Sequence, residues 1–254
     1  WLQKLNANIC GFSKSIPTNP SLFEIANVDE NMQSITGDIR DFDSIINTIK
    51  EFQPEIIIHM AAQSIVLNSY DDPLETYTTN VIGTLNLFEA VRKTDKTRVI
   101  INVTSDKCYD NRGLDLPFKE SDPMGGYDPY SSSKGCSEIM TSSFRNSFFN
   151  PKQYQKHKVA LASARAGNVI GGGDWSSDRL VPDCIRSWSK NKKVILRNPN
   201  STRPWQHVFE AIGGYLLFAS KLKINHKLHG EAFNFGPNDK KNYSVLTLIR
   251  LMEK

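Results

Sequence analysis

Cysteine is scarce in this 254-residue chain, and Cys10, Cys108, Cys136 and Cys184 stand far apart with no Cys-x-x-Cys pair. That spacing excludes the disulfide framework on which small secreted domains depend, and it argues against a zinc site. Long hydrophobic runs are also missing. The longest, Ile56 to Ala62, falls far short of the roughly 18 residues that span a bilayer. No signal peptide is recognisable, although the chain opens at Trp1, and a cytoplasmic location is the default expectation. Neither sign of charge dominates: 31 basic and 27 acidic residues leave +4. The lysines are scattered, with loose clusters at Lys190, Lys192, Lys193 and at Lys221, Lys223, Lys227 that read as solvated faces. Nucleic-acid binders concentrate such charge in a stripe, so the balance suits an enzyme of anionic metabolites better. No internal repeat or low-complexity segment stands out.

What is present is an alternation of β-branched runs with helical patterns. Hydrophobic residues make up 39 % and charged residues 23 %, the texture of a globular chain. Ile9–Phe12 and Ile35–Asp38 read as strands, and Asp41 caps a helix through Phe52 whose Phe42, Ile45, Ile46 and Ile49 share one face. Pro54 ends it. Glu55–Met60 reads as a fully buried central strand because its apolar run is continuous. A helix over about Leu74–Arg92, a strand Arg98–Val103, a helix from Tyr130 to about Phe149 and a strand Val159–Ala164 follow. Such βαβ alternation predicts an α/β fold with a parallel sheet. Beyond Gly171 the pattern loosens into helices at Val181–Trp188 and Val208–Leu222, strands at Val194–Leu196 and Ala232–Phe235, and a helical pattern over Ser244–Lys254. This reads as a smaller lobe over the carboxyl ends of the strands, where open α/β sheets bind ligands.

Tyr130-Ser-Ser-Ser-Lys134 is the sharpest local signal. Positions i and i+4 of a helix share one face. An ammonium beside a phenol stabilises the phenolate, which makes tyrosine usable as a base. The same spacing also arises in ordinary surface helices. Here it follows a polar loop that begins at the end of a buried strand with Thr104, Ser105, Asp106 and Lys107. Polar groups there are costly unless they serve a ligand or cap the strand.

These residues lie among others that carry a resemblance. Met60-Ala-Ala-Gln63, Thr79-Asn-Val-Ile-Gly-Thr84, Thr104-Ser-Asp-Lys-Cys-Tyr-Asp-Asn111, Gly125–Lys134, Arg165–Trp175 and Arg197–His207 together resemble the extended short-chain dehydrogenase/reductases. Within that group they look most like the CDP-glucose 4,6-dehydratases. The adjacent Asp106–Lys107 pair is the most specific element. Related dTDP-glucose dehydratases carry Asp-Glu there, and the epimerases lack the pair.

The resemblance implies a Rossmann-like doubly wound parallel sheet with a smaller substrate-binding lobe. Residues 1–170 would form the NAD-binding domain and 171–254 the lobe interleaved with it. It further implies that Tyr130 takes the proton of a sugar 4-hydroxyl while hydride passes to NAD. Lys134 lowers the tyrosine pKa and holds the nicotinamide ribose, and Ser105 bonds the 4-oxygen. Asp106 as an acid then donates to the departing 6-hydroxyl, and Lys107 as a base removes the proton on carbon 5. Acid beside base requires the two pKa values to be displaced in opposite directions, which burial achieves and a plain ion pair does not.

Cofactor contacts implied in the same way are Asp38, Ile39, Ala61, Ala62, Thr79, Tyr130, Lys134 and Val169, and substrate contacts are Asn168, Arg179, Leu180, Arg203 and Asn234. His59 and His207 are expected to be structural, and no metal is expected. The resemblance also implies a homodimer through the helices near Leu74–Arg92 and Tyr130–Phe149, and a place in deoxysugar and cell-surface (lipopolysaccharide) polysaccharide biosynthesis.

Two features depart from the pattern. The Gly-rich turn that cradles a pyrophosphate is absent. Trp1–Leu5 reads as the end of the helix that should follow it, so the chain is expected to be truncated at both ends. Ser13, followed by Lys14, also stands where an acidic residue would select NAD over NADP. A sugar-nucleotide 4-epimerase of the same fold, or a non-catalytic nucleotide-sensing module, are the alternatives left open.

Overall fold

The computed structural model describes residues 1–111, 113, 117–237 and 243–253. Strand β1 (Cys10–Ser13) runs parallel to β2 (Gln33–Thr36), with the short α1 (Leu22–Ile25) between them. Asp41 caps α2 (Phe42–Phe52), its carboxylate accepting the amides of Asp43 and Ser44 as the sequence predicts. After β3 (Ile56–His59) come α3 (Val66–Asp71), α4 (Pro73–Tyr77) and α5 (Gly83–Arg92). The single helix expected over Leu74–Arg92 is thus interrupted by one π-helical turn at Thr78–Ile82. Thr78 Oγ1 donates back to the carbonyls of Leu74 and Glu75, a competition with the backbone ladder that loosens helices locally.

Next are β4 (Val99–Val103), α6 (Pro129–Ser147), α7 (Tyr154–His157) and β5 (Ala160–Ala166). The second half holds β6 (Val169–Ile170), α8 (Leu180–Trp188), β7 (Thr202–Arg203), β8 (Gln206–His207), α9 (Val208–Ile224), β9 (Ala232–Phe235), β10 (Tyr243–Ser244) and α10 (Val245–Met252). Lys254, the last residue of the expected terminal helix, lies outside the described residues.

Four strands form the parallel sheet that carries the fold, in the order β3-β4-β5-β9, while β1–β2 is a separate parallel pair. This corrects the reading of Ile56–His59 as a fully buried central strand. It is an edge strand of the described sheet, and Ile56 is 41 % exposed because no strand is hydrogen-bonded along its outer side. Val194–Leu196 forms no strand either. Its branched side chains find no partner strand, and Ile195 is 89 % exposed.

Alternation along β4 and β5 divides the core. Ile100 and Leu161 face one side, where α2, α5 and α6 contribute Ile46, Phe88, Val91 and Phe144. Val99, Ile101, Ala160 and Ala162 face the other, where α9 supplies Tyr215, Phe218 and Leu222. The alanines of β5 leave room for those large rings. α9 packs across β4, β5 and β9, and β9 joins β5 in the sheet, so these two elements of the second half share the core of the first.

On the α6 side the face turns polar toward the carboxyl end of β4. Asn102 donates to Ser137 and Thr141 of α6 at 3.0 and 2.8 Å, and Thr104, one step further on that face, donates to Glu138. These bonds fix α6 over the strand end.

Candidate active site

Polar residues expected from sequence converge where β3, β4 and β5 end. Beyond β4, Ser105 caps a single 3-10 turn, Asp106–Cys108, accepting the Lys107 amide at 3.2 Å. The loop opposite is pressed against this turn by direct backbone contact. The Gly125 amide donates to the Cys108 carbonyl at 2.8 Å. A Cβ at Gly135 would lie 2.4 Å from the Gly125 carbonyl, and one at Gly126 (φ +130°) 2.2 Å from the Ser132 amide nitrogen. Only glycine permits that approach. Asp128 then caps α6, so that Pro129 and Tyr130 fill its first turn.

Tyr130 is buried beside Ser105. Burial pushes its hydroxyl above the ordinary tyrosine value, while the neighbouring Ser105 opposes that shift. The lowering expected from Lys134 is therefore not seen here. The Lys134 ammonium is turned to the Val103 carbonyl, 3.3 Å away. Burial pushes Lys134 itself down to about 8, with the Glu138 charge opposing.

Asp106 and Lys107 sit half-exposed in an ion pair, Nζ to Oδ1 2.9 Å, and Ser105 Oγ donates to the same Asp106 oxygen at 3.1 Å. Ser105, Asp106, Lys107, Tyr130 and Lys134 are thus brought together. Cys108 is fully buried behind them, its thiol pushed up to about 12 by burial.

The remaining expected contacts divide. Ala61 and Ala62 follow β3 at the rim, and Thr79 lies in the π-helical turn. Asn80 of that turn donates to Ser133 of α6 and exchanges bonds with the Gln63 backbone. Ile39 is buried in the core. The Asp38 carboxylate is held by Arg40 in a forked pairing, which with Lys14 keeps it down near 2. Val169 is exposed beside Gln206, and Asn168 keeps a buried side-chain oxygen without a partner. Arg179 precedes Leu180 at the start of α8 and bonds Ser64, while Arg203 is exposed on β7. The Asn234 amide is spent inside the protein, accepting from Tyr109 at 2.5 Å and donating to Phe118 at 3.2 Å.

Lys134 and Asn168 fit a bound dinucleotide. A buried ammonium with one long acceptor has donors to spare for a ribose diol, and the orphaned Asn168 oxygen awaits a donor. At the far end, a cavity of about 340 Å³ opens beside Ser13, Thr36 and Trp175.

His59 is structural, as expected. Thr84 donates its hydroxyl proton to Asn80, so the buried His59 ring donates through Nε2 to Thr84, and burial pushes it down to about 3. His207 caps α9. Sequence reasoning assigned nothing to Glu138, Arg165 and Tyr109, which lie buried beside the site. The visible signals were a glutamate one turn beyond Lys134 and a charge inside an otherwise apolar strand. Among the described residues, no group of three or more His, Cys, Asp or Glu could hold a metal ion, and no helix is long and apolar enough to cross a membrane.

Residues 17–246 match the family described as GDP-mannose 4,6 dehydratase. The chain is 52 % identical over 252 residues to a CDP-glucose 4,6-dehydratase of Salmonella typhimurium, covering 99 % of this chain and 70 % of that one. Among solved structures, UDP-glucose 4-epimerase of Thermotoga maritima with UDP-glucose superposes with TM-score 0.82 at 20 % identity, covering 99 % of this chain and 75 % of the other. A dTDP-glucose 4,6-dehydratase of Bacillus anthracis in complex with NAD gives 0.77 at 24 %, covering 98 % and 72 %. Both superpositions show the Rossmann-like fold.

Proposed function

The chain belongs to the GDP-mannose 4,6 dehydratase family, within the extended short-chain dehydrogenase/reductases, and on that premise we propose that it converts CDP-glucose to CDP-4-keto-6-deoxyglucose in an NAD-dependent 4,6-dehydration. One observation carries this reading: an acid and a base, Asp106 and Lys107, lie 2.9 Å apart on the turn that Ser105 caps next to Tyr130. A 4-epimerase uses Tyr130 and Lys134 but has no step for that pair.

Bound NAD supplies the hydride acceptor at the first step and the hydride donor at the last. Tyr130, as phenolate, takes the proton of the sugar 4-hydroxyl, with Ser105 bonding the oxygen and the Lys134 ammonium stabilising negative charge. The new ketone acidifies carbon 5. Asp106 and Lys107 begin as an ion pair, which is the wrong protonation for elimination. Covering the pair with the sugar removes the water that stabilises both charges. One proton then crosses from Nζ to the carboxylate, leaving a neutral amine and a neutral acid with no net proton gained. Lys107 removes the carbon-5 proton, and Asp106 protonates the leaving 6-hydroxyl, which departs as water. Hydride arrives at carbon 6 as Lys107 returns its proton to carbon 5. The proton gained by Tyr130 and the one lost by Asp106 re-equilibrate through solvent on product release.

Arg179 with the amino end of α8, and Arg203, are the groups we assign to the nucleoside diphosphate, which an arginine fork and a helix N-terminus both suit. Asn234 supports this site through its bond to Tyr109. Lys14 lies 3.2 Å from Glu75 and 3.9 Å from Asp38, so two carboxylates already balance its charge. This supports NAD over a 2′-phosphorylated cofactor. Exposed Leu74, Ile82, Ile139 and Phe148 on the outer helices support a homodimer, and the pool of free nucleotide sugars that the reading requires supports a cytoplasmic location.

The test is incubation with NAD and CDP-glucose, with dTDP-, UDP- and GDP-sugars in parallel, scored by the alkali-induced absorbance of a 4-keto-6-deoxy sugar. Product from CDP-glucose that is lost in Lys107→Ala is expected. A 4-epimer instead of a keto sugar overturns the reading.

A further inference from the structure

Ser105, Asp106 and Lys107 have few side-chain bonds beyond those they make to one another; the glycine seam supports the turn from behind at Cys108, and the side chains on either side of it hold its ends. Both ends run into the same buried pair. At the leading end, Thr104 donates to Oε1 of Glu138. At the trailing end, Tyr109 accepts from Arg165 Nη1 at 2.9 Å and donates to Asn234 of β9 at 2.5 Å. Between them Arg165 Nη2 donates to Oε2 of Glu138 at 2.8 Å, with the two side chains only 7 % and 4 % exposed. The guanidinium also lies over the Tyr109 ring, 5.2 Å from its centre, and that ring stacks on Phe118. Arg165 Nη1 also donates to the Glu120 carbonyl at 2.9 Å, and its Nε is left without a partner. Glu138 stands one turn beyond Lys134 on α6, so the network ties the 104–109 segment to the helix that carries Tyr130.

We propose that Glu138 and Arg165 are positioning residues that clamp the Ser105–Lys107 segment at both ends, through Thr104 and Tyr109, and thereby set the elimination half of the reaction. The proposal rests on the 4,6-dehydratase reading. Removal of the 4-hydroxyl proton relies on Tyr130 and Lys134 of α6, with Ser105, next to the Thr104 anchor, bonding the oxygen. Proton removal at carbon 5 relies on Lys107, two residues from the Tyr109 anchor. Loosening the Tyr109 anchor therefore slows the second half more than the first.

Tyr109→Phe tests this with minimal disturbance, since the ring and its stacking remain. Its kcat is expected to fall at least about tenfold with KM unchanged, as a displacement near 1 Å at a reacting group costs on that order or more. The near-ultraviolet absorbance of reduced nicotinamide should build up during turnover, because oxidation outruns elimination. In the protein without ligands, amide hydrogen exchange across residues 104–109 should accelerate. Wild-type kcat with unaltered exchange overturns the proposal, and so does a fall in kcat with no accumulation of reduced cofactor. Glu138→Gln should repeat the exchange effect at both ends of the segment. If the wild-type protein forms no keto sugar, the dehydratase reading fails by itself, while the exchange measurement still decides whether the clamp exists.

Discussion

Two acid–base pairs lie within this site, and they differ chiefly in burial. Asp106–Lys107 is half-exposed on a single 3-10 turn, and Glu138–Arg165 is sealed between α6 and β5. An accessible pair can be covered and uncovered by a ligand, so its protons can move. A sealed pair is held in one geometry, because separating the partners would leave a buried charge without compensation. Here burial separates the pair that does chemistry from the pair that holds it in place.

Breaking each pair should therefore cost different things. Lys107→Ala should remove the carbon-5 base and lower kcat by about 10²–10⁴, while the melting temperature stays near wild type. Glu138→Gln should do the reverse in emphasis. Stranding the Arg165 charge should cost roughly 3–5 kcal/mol in urea unfolding. Replacing both partners, Glu138→Leu with Arg165→Met, should recover most of that stability, since apolar pairs of similar volume are tolerated at such sites, but should not recover turnover.

The pH dependence sharpens the contrast between buried cations that do and do not find a carboxylate. Lys134, pushed down to about 8, binds fewer protons folded than unfolded between there and its ordinary 10.5. Stability should rise with pH across that window, while kcat/KM falls through pH 8 as the ammonium is lost. Lys134→Met should abolish the stability slope. The acid limb belongs to His59, held neutral down to about 3. The unfolded chain takes up its proton near 6.5, so stability should decline as the pH falls from there toward 3. His59→Gln should flatten that limb in a melting-temperature series.

The short-range parts of this site were legible in the sequence. Tyr130 and Lys134 are spaced by one helical turn, and Asp106 and Lys107 are neighbours, so their juxtaposition needs only local structure. The same holds for the Asp41 cap. Pairings between distant elements were not legible. Glu138 and Arg165 are 27 residues apart on different elements, and no local pattern announces that they meet. Asn234 reads as a polar residue near a strand end, and only the fold shows its amide already taken by Tyr109 and Phe118. The Thr78–Ile82 turn escaped because its cause is a hydroxyl turning back on the helix while the apolar pattern stays continuous. Ile56–His59 and Val194–Leu196 were misjudged for a shared reason: an apolar run states what a strand could pack against, not whether a neighbour is hydrogen-bonded to it.

The seam at Gly125, Gly126 and Gly135 sets how this site responds to heat. Across most protein contacts, side chains act as cushions that absorb small shifts by changing rotamer. Here backbone meets backbone, and the spacing between α6 and the 105–108 turn is set by direct contact and a hydrogen bond from Gly125 to Cys108. Such a joint has fewer soft intermediate positions than one cushioned by side chains. The catalytic distances should hold nearly constant on warming and then be lost together, so the enzyme's activity is expected to fail abruptly, at the same temperature as the helix that carries it.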